Sequence, residues 1–290
     1  MRLVILGSIS VALLSACEAD DWGPDRLRQG HSDQRVQELR AGQQVYANYC
    51  AGCHGEAGDG NGQAARFLAP KPRNFSVGRL KFAAVEAGQS PRDEDYLRII
   101  ENGLSGTAMP AFPFLSNDEK RSLVTYIKTF YADWGDDPPG APVSPGQDPW
   151  AGDYAGAVAE GKKAYYGVAK CWSCHPAYET KAEITRLHEE QQLPAPDLRA
   201  DLYESTEKES NWGAPIRAPD FLQDRIKTGF EIENLARVIA AGVGGTAMPT
   251  WSGALEPGQI WGIAYYVHDL ALQRNTPEAK AKKASLLGQN

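Results

Sequence analysis

The sequence predicts a mainly α-helical protein built as two tandem copies of one domain. Three observations carry that expectation. The stretch from Arg98 to Pro110 recurs as Arg237 to Pro249, and both copies end in Gly-Thr-Ala-Met-Pro. The form Cys-x-x-Cys-His occurs twice, as Cys50-Ala51-Gly52-Cys53-His54 and as Cys171-Trp172-Ser173-Cys174-His175. After each repeat, apolar residues fall at three- and four-residue spacings, Leu123, Tyr126, Ile127 and Phe130 matching Ile263, Tyr266, Val267 and Leu270, the pattern of an amphipathic helix. A chain of 290 residues has the length for about two domains, and the repeat says where they lie. No alternating stretch argues for a sheet.

Residues 1–16 read as a secretory signal, because Arg2 precedes an apolar run from Leu3 to Leu14 that is too short to span a bilayer. The tetrapeptide Leu14-Ser15-Ala16-Cys17 resembles the lipobox of bacterial lipoproteins. That resemblance implies a diacylglyceryl group on Cys17, which becomes the first residue of the mature chain and a membrane anchor through lipid. A plain secretory signal and an uncleaved anchor are the competing readings. Residues 17–37 are polar, contain Gly23-Pro24 and show no sustained apolar face, so a flexible leash is expected there, with His31 solvated.

The first domain is expected over residues 38–132 and the second over 153–273. A helix through Ala41 to Tyr49 leads into Cys50, and one through Ala159 to Tyr166 leads towards Cys171. Ser116 followed by Glu119 predicts a capping box for the last helix of the first copy. Between the copies, residues 133–152 include Pro138, Pro139, Pro142 and Pro145. Proline removes a helix donor and fixes φ, so this segment is expected to be an extended, semi-rigid linker on which Trp134 and Trp150 can pack. Residues 274–290 form a polar tail, with Lys280, Lys282 and Lys283 on a frayed helix end.

Two thiols three positions apart can each form a thioether to a haem vinyl group, and the adjacent histidine can then bind the iron, which is the attachment signature of c-type haem. Its double occurrence predicts two haem c groups, one on Cys50 and Cys53 and one on Cys171 and Cys174, with His54 and His175 as iron ligands. Five cysteines are present, so only Cys17 is left over. A zinc site or a pair of disulfides would use the same thiols, but neither requires a histidine after both second cysteines. The methionines are only Met1, Met109 and Met248, and the last two occupy matching places in the repeat. A packing methionine is usually one of many interchangeable fillers, whereas a thioether paired with histidine on iron raises its reduction potential. Met109 and Met248 are therefore the predicted second axial ligands.

On these residues both halves resemble class I cytochromes c, and the chain is similar to a dihaem member of that family with a lipoprotein-type signal. The motif falls on Cys50, Cys53, His54 and Met109, then on Cys171, Cys174, His175 and Met248. The resemblance implies one enclosed, covalently attached haem per domain, low-spin histidine–methionine coordination and a reversible iron couple. Pro72-Arg73-Asn74-Phe75 and Pro219-Asp220-Phe221 look like the family's loop whose carbonyl accepts the histidine's other N–H; Pro70 or Pro72, and Pro215 or Pro219, are the candidates. From His54 to Met109 is 55 positions and from His175 to Met248 is 73, so the second half is longer by 18. The surplus is expected within Ala177 to Ser210 as a solvated loop; a docking element, or His188 replacing Met248 as ligand, are the alternatives. His268 is read as a packing or surface residue.

The net charge is −7, with 17 acidic and 11 basic residues in 153–273 against 10 and 11 in 38–132. Either the second domain docks a basic partner or the imbalance is a soluble acidic surface. The absence of a basic stripe argues against nucleic-acid binding. The function that follows is a carrier rather than an enzyme. It would be lipid-anchored at the periplasmic face of a bacterial membrane, relaying single electrons between a quinol-oxidising complex or dehydrogenase and a terminal oxidase or reductase. Its partners would be a redox-protein donor and acceptor, with no small-molecule substrate. A cytochrome c subunit of a larger respiratory complex is the alternative. A dihaem peroxidase-like enzyme would need an open or releasable sixth site, against which a methionine in both copies argues.

Overall fold

The structure, a computed structural model, describes residues 32–288. Cys17, His31 and the expected signal lie outside them. The helices run in the order α1 (Asp33–Tyr49), α2 (Ala51–His54), α3 (Asp93–Asn102), α4 (Asn117–Lys128), α5 (Tyr154–Tyr166), α6 (Lys181–Glu190), α7 (Ile232–Ala241), α8 (Pro257–Leu272) and α9 (Pro277–Leu287). Among the described residues the only sheet is an antiparallel hairpin of β1 (Glu207–Glu209) and β2 (Pro215–Arg217), between α6 and α7. No described helix is long and apolar enough to cross a membrane.

Each half is built on one crossing of helices. In the first, α1 packs on α4 around Leu123, Val124, Tyr126 and Ile127; in the second, α5 packs on α8 around Ile260, Ile263, Ala264 and Tyr266. The two crossings share a glycine. A Cβ on Gly42 would lie 2.0 Å from the Ser122 carbonyl oxygen, and one on Gly161 would lie 1.8 Å from that of Gly262. Only glycine lets the backbones approach so closely. Ser116 and Glu119 form the expected capping box on α4, each side chain accepting from the other's backbone N–H. Buried apolar residues separate into one cluster per half, the first including Tyr46, Tyr96 and Phe130, the second Tyr165, Tyr178 and Trp261.

Three expectations need correction. The leash ends earlier than residue 37: Ser32 caps α1 by accepting from Arg35 N, and Val36 and Leu39 are buried. The linker packs on both halves, as expected for Trp134 and Trp150. Trp134 packs edge-on against Tyr96, Asp137 pairs with Arg79 at 2.7 Å, and the Trp150 indole donates to Gly258 O at 2.8 Å. The insertion is not a solvated loop, because α6 buries Ile184, Leu187 and His188. The tail is not frayed: Thr276 caps α9, Ala279 and Leu286 are buried, and Lys283 pairs with the buried carboxylate of Asp220. In α1, α6 and α9 a polar-looking segment carries apolar residues on one helical face, and burying that face outweighs the composition.

Candidate functional site

The first Cys-x-x-Cys-His sits where α1 gives way to the single turn α2. Cys50 N donates to Tyr46 O at 2.8 Å, so the motif follows the helix directly. Gly55, at φ 82°, then turns the chain away, and the following loop folds back on the motif, Gly62 N donating to Cys53 O at 3.1 Å and Ala64 N to Gly52 O at 2.9 Å. Tyr46 closes this loop with a 2.7 Å hydrogen bond from its hydroxyl to Gly55 O.

His54 is buried. Its Nδ1 lies 2.9 Å from Arg73 O, and its ring stacks on Phe75 at 4.6 Å between centroids and 20° between planes. A carbonyl can only accept, so Nδ1 carries the proton and Nε2 keeps its lone pair. Burial lowers the imidazole's pKa, and the Arg73 charge adds to that effect against the opposing carbonyl bond. The neutral, ligating form is thereby favoured.

The second motif repeats the arrangement on a different scaffold. Cys171–Ser173 is a 3-10 turn entered through Lys170 at φ 46°. His175 Nδ1 lies 3.0 Å from Pro219 O, and its ring stacks on Phe221 at 4.8 Å and 21°. Burial again lowers the histidine's pKa. The carbonyl acceptor is thus Pro219, one of the two expected, in the second half. In the first it is Arg73, the neighbour of Pro72, and neither Pro70 nor Pro72. Among the described residues, neither histidine's Nε2 has a hydrogen-bond partner.

Both methionine loops leave a helix through a glycine at positive φ. Gly103 (φ 65°) caps α3 and Gly242 (φ 78°) caps α7, each N–H donating to the helix. The turn geometry then matches atom for atom. Thr107 Oγ1 donates to Leu104 O at 2.8 Å and accepts from Met109 N at 3.1 Å; Thr246 Oγ1 donates to Val243 O at 2.8 Å and accepts from Met248 N at 3.2 Å. The loop is closed by Leu104 N on Met109 O at 3.0 Å, and by Val243 N on Met248 O at 3.1 Å. Met109 packs on the same core cluster as Cys50, and Met248 on the same cluster as Cys171. The predicted ligands are therefore gathered half by half.

The four motif cysteines are free thiols. Burial pushes Cys50 and Cys171 up to about 12, each with its partner cysteine adding to the shift. A redox dithiol needs a lowered thiol pKa, so that chemistry is disfavoured. Among the described residues, no three His, Cys, Asp or Glu side chains converge as a metal-holding group, so the thiols do not pool into one zinc site. Two thiols beside a histidine with an available Nε2, and a thioether on the same core, are the donor set that a covalent haem requires.

Sequence reasoning missed three contributors. Phe75 and Phe221 lie in the two carbonyl loops, but their stacking has no local signal in the sequence because they stand 21 and 46 positions after their histidines. Arg199, from the insertion, donates to Trp172 O at 2.9 Å and to His175 O at 3.0 Å, bracing the second motif. His188 does not stand in for Met248, since its two ring nitrogens lie 2.8 Å from Pro194 O and 2.8 Å from Tyr166 O. The phenylalanines also resolve the length difference. The second half gains 25 positions before Phe221, and from there to Met248 is 27 positions against 34 in the first half.

Residues 37–127 match the family model for cytochrome c oxidase, cbb3-type, subunit III. A solved chain in a reducing HAO-like protein complex from Kuenenia stuttgartiensis is similar at 28% identity and a TM-score of 0.64, over 79% of this chain and 95% of that one. No curated protein matches. These likenesses support a cytochrome c and, with it, electron transfer.

Proposed function

We propose that this protein is a dihaem electron carrier, with haem c groups attached at Cys50 and Cys53 and at Cys171 and Cys174. His54 with Met109, and His175 with Met248, are its axial iron ligands. When bound, each haem supplies a one-electron ferric/ferrous couple. The observation that carries this reading is the duplicated histidine arrangement, in which Nδ1 is committed to a carbonyl and the ring is clamped by a phenylalanine. Such a bond fixes tautomer and ring orientation and raises ligand basicity. The chain's own residues orient the ligands, hold the imidazoles neutral and exclude water; no general acid or base is needed.

The carrier is anchored by lipid on Cys17 at the periplasmic face of a bacterial membrane. There it passes electrons from a quinol-oxidising complex or dehydrogenase to a terminal oxidase or reductase. The similar chain from the Kuenenia stuttgartiensis complex supports a second reading, in which this protein is a fixed cytochrome subunit of an assembly.

Haem content and spectra test the reading. Two haems per chain, a methionine–iron charge-transfer band in the ferric form and no peroxide turnover are expected. One haem per chain, or a high-spin iron that turns over peroxide, refutes it. Cys17→Ser should release the chain from membranes; retention on the membrane after washing points instead to a protein partner or a retained signal segment.

A further inference from the structure

The two methionine loops both lie at the junction of the halves, and each is tied by its backbone to the opposite half. Ser105 N, in the first loop, donates to Lys227 O of the second half at 2.8 Å. Gly244 N, in the second loop, donates to Lys81 O of the first half at 2.9 Å. Between them stands Trp212. Its indole lies on Gly245 so closely that a Cβ there would meet it at 2.5 Å, and Asn211 N donates to Gly245 O at 3.0 Å. The Arg73 guanidinium lies 3.8 Å from the indole centroid. Arg73 is also the residue whose carbonyl holds His54. One side chain thus touches the loop that carries Met248 and the residue that orients His54.

The contact is built to persist. Gly245 sits at φ 68°, a conformation that favours glycine, and glycine is also what makes room for the ring. A planar guanidinium over an indole face is the favoured cation–π geometry. No carboxylate pairs with Arg73 among the described residues, so the indole is its principal partner. Burial lowers the Arg73 pKa to about 10.

We propose, on the dihaem reading above, that Trp212 is a positioning residue that couples the two iron centres through a reciprocal clasp. It presses the Met248 loop against Arg73, so each half supports ligand geometry in the other. A disturbance in one half then reaches the ligands of both.

The test uses the full chain with haem counted first; fewer than two haems in the unsubstituted protein defeats the dihaem reading and leaves Trp212 out of the question. The methionine-methyl resonances of the reduced protein report each loop, and a potentiometric titration reports each couple. Trp212→Leu removes no charge. It should shift both methyl signals and change the first centre's electron-exchange equilibrium at least threefold, about 28 mV for one electron. Trp212→Phe should restore most of the shift. Arg73→Lys keeps the charge but loses the planar stack, and should move the Met248 signal across the junction. The proposal is overturned if Trp212→Leu disturbs only Met248 while Arg73→Lys disturbs only the first centre. Should Trp212→Leu fail to fold or lose haem, Arg73→Lys decides by the same criterion: a shift of the Met248 signal supports coupling, and its absence refutes it.

Discussion

Removing the Lys283 ammonium from α9 should loosen the second candidate centre from a distance. Asp220 is 1% exposed, and its carboxylate pairs with Lys283, whose own side chain is 22% exposed. The same carboxylate accepts from Leu222 N at 3.0 Å and from the Tyr178 hydroxyl at 3.3 Å. Its neighbour Pro219 supplies the carbonyl that holds His175. Lys283→Met would keep the packing of the stem but strand a buried charge on its hydrogen bonds alone. Breaking one side of a buried pair typically costs 3–5 kcal/mol, and the partial exposure of Lys283 places the expected loss at about 3 kcal/mol. For a unit of this size that corresponds to a fall in Tm on the order of 10 °C. Circular dichroism melts of the single variants and the double variant give the cycle. Asp220→Asn keeps an acceptor for Leu222 and removes the charge, so Lys283→Met added to it should be nearly neutral. A Lys283→Met loss within 0.5 kcal/mol of zero, the ordinary range for a surface change, or strict additivity with Asp220→Asn, would refute the reasoning.

Three further outcomes follow from the geometry. Met109→Ala or Met248→Ala should retain covalent haem, lower one potential and open one iron to added ligands such as imidazole; an unaltered spectrum rejects that methionine as ligand. Gly161→Ala must part α5 from α8 against a carbonyl at 1.8 Å, losing roughly 2 kcal/mol in denaturant titrations despite alanine's better helix propensity. Glu183 is held down to about 2, first by its hydrogen bond with Arg186 and then by Lys162, against burial. Its folded pKa lies below the unfolded value, so its contribution is complete above about pH 4.5 and disappears as pH falls towards 2. Hydrogen exchange in α6 should therefore accelerate in acid, and Glu183→Gln should flatten that dependence.

Much of this protein was legible in its chain. Cys-x-x-Cys-His is a local motif, and the matching Gly-Thr-Ala-Met-Pro turns hold themselves together through Thr107 and Thr246 within six residues. Chemistry confined to one turn of backbone is readable from sequence because the residues that make it are neighbours. The capping box at Ser116 and the four-residue periodicity of α4 and α8 were readable for the same reason.

Tertiary structure decided what depends on distant residues meeting. It chose Arg73 rather than a proline as the partner of His54, and drew the expected tail and insertion into the second half through Lys283 with Asp220 and Arg199 with His175. It also placed Trp212 between the halves. None of these pairings has a fixed spacing: the histidine-to-phenylalanine interval is 21 positions in one half and 46 in the other. The sequence by itself determined which groups can attach and ligate a haem, because that chemistry is set by residue type and short spacing. Which carbonyl, ring and cation surround those groups was decided only by packing, because burial rewards any contact that fills space and satisfies a polar group, whatever the chain length between the partners.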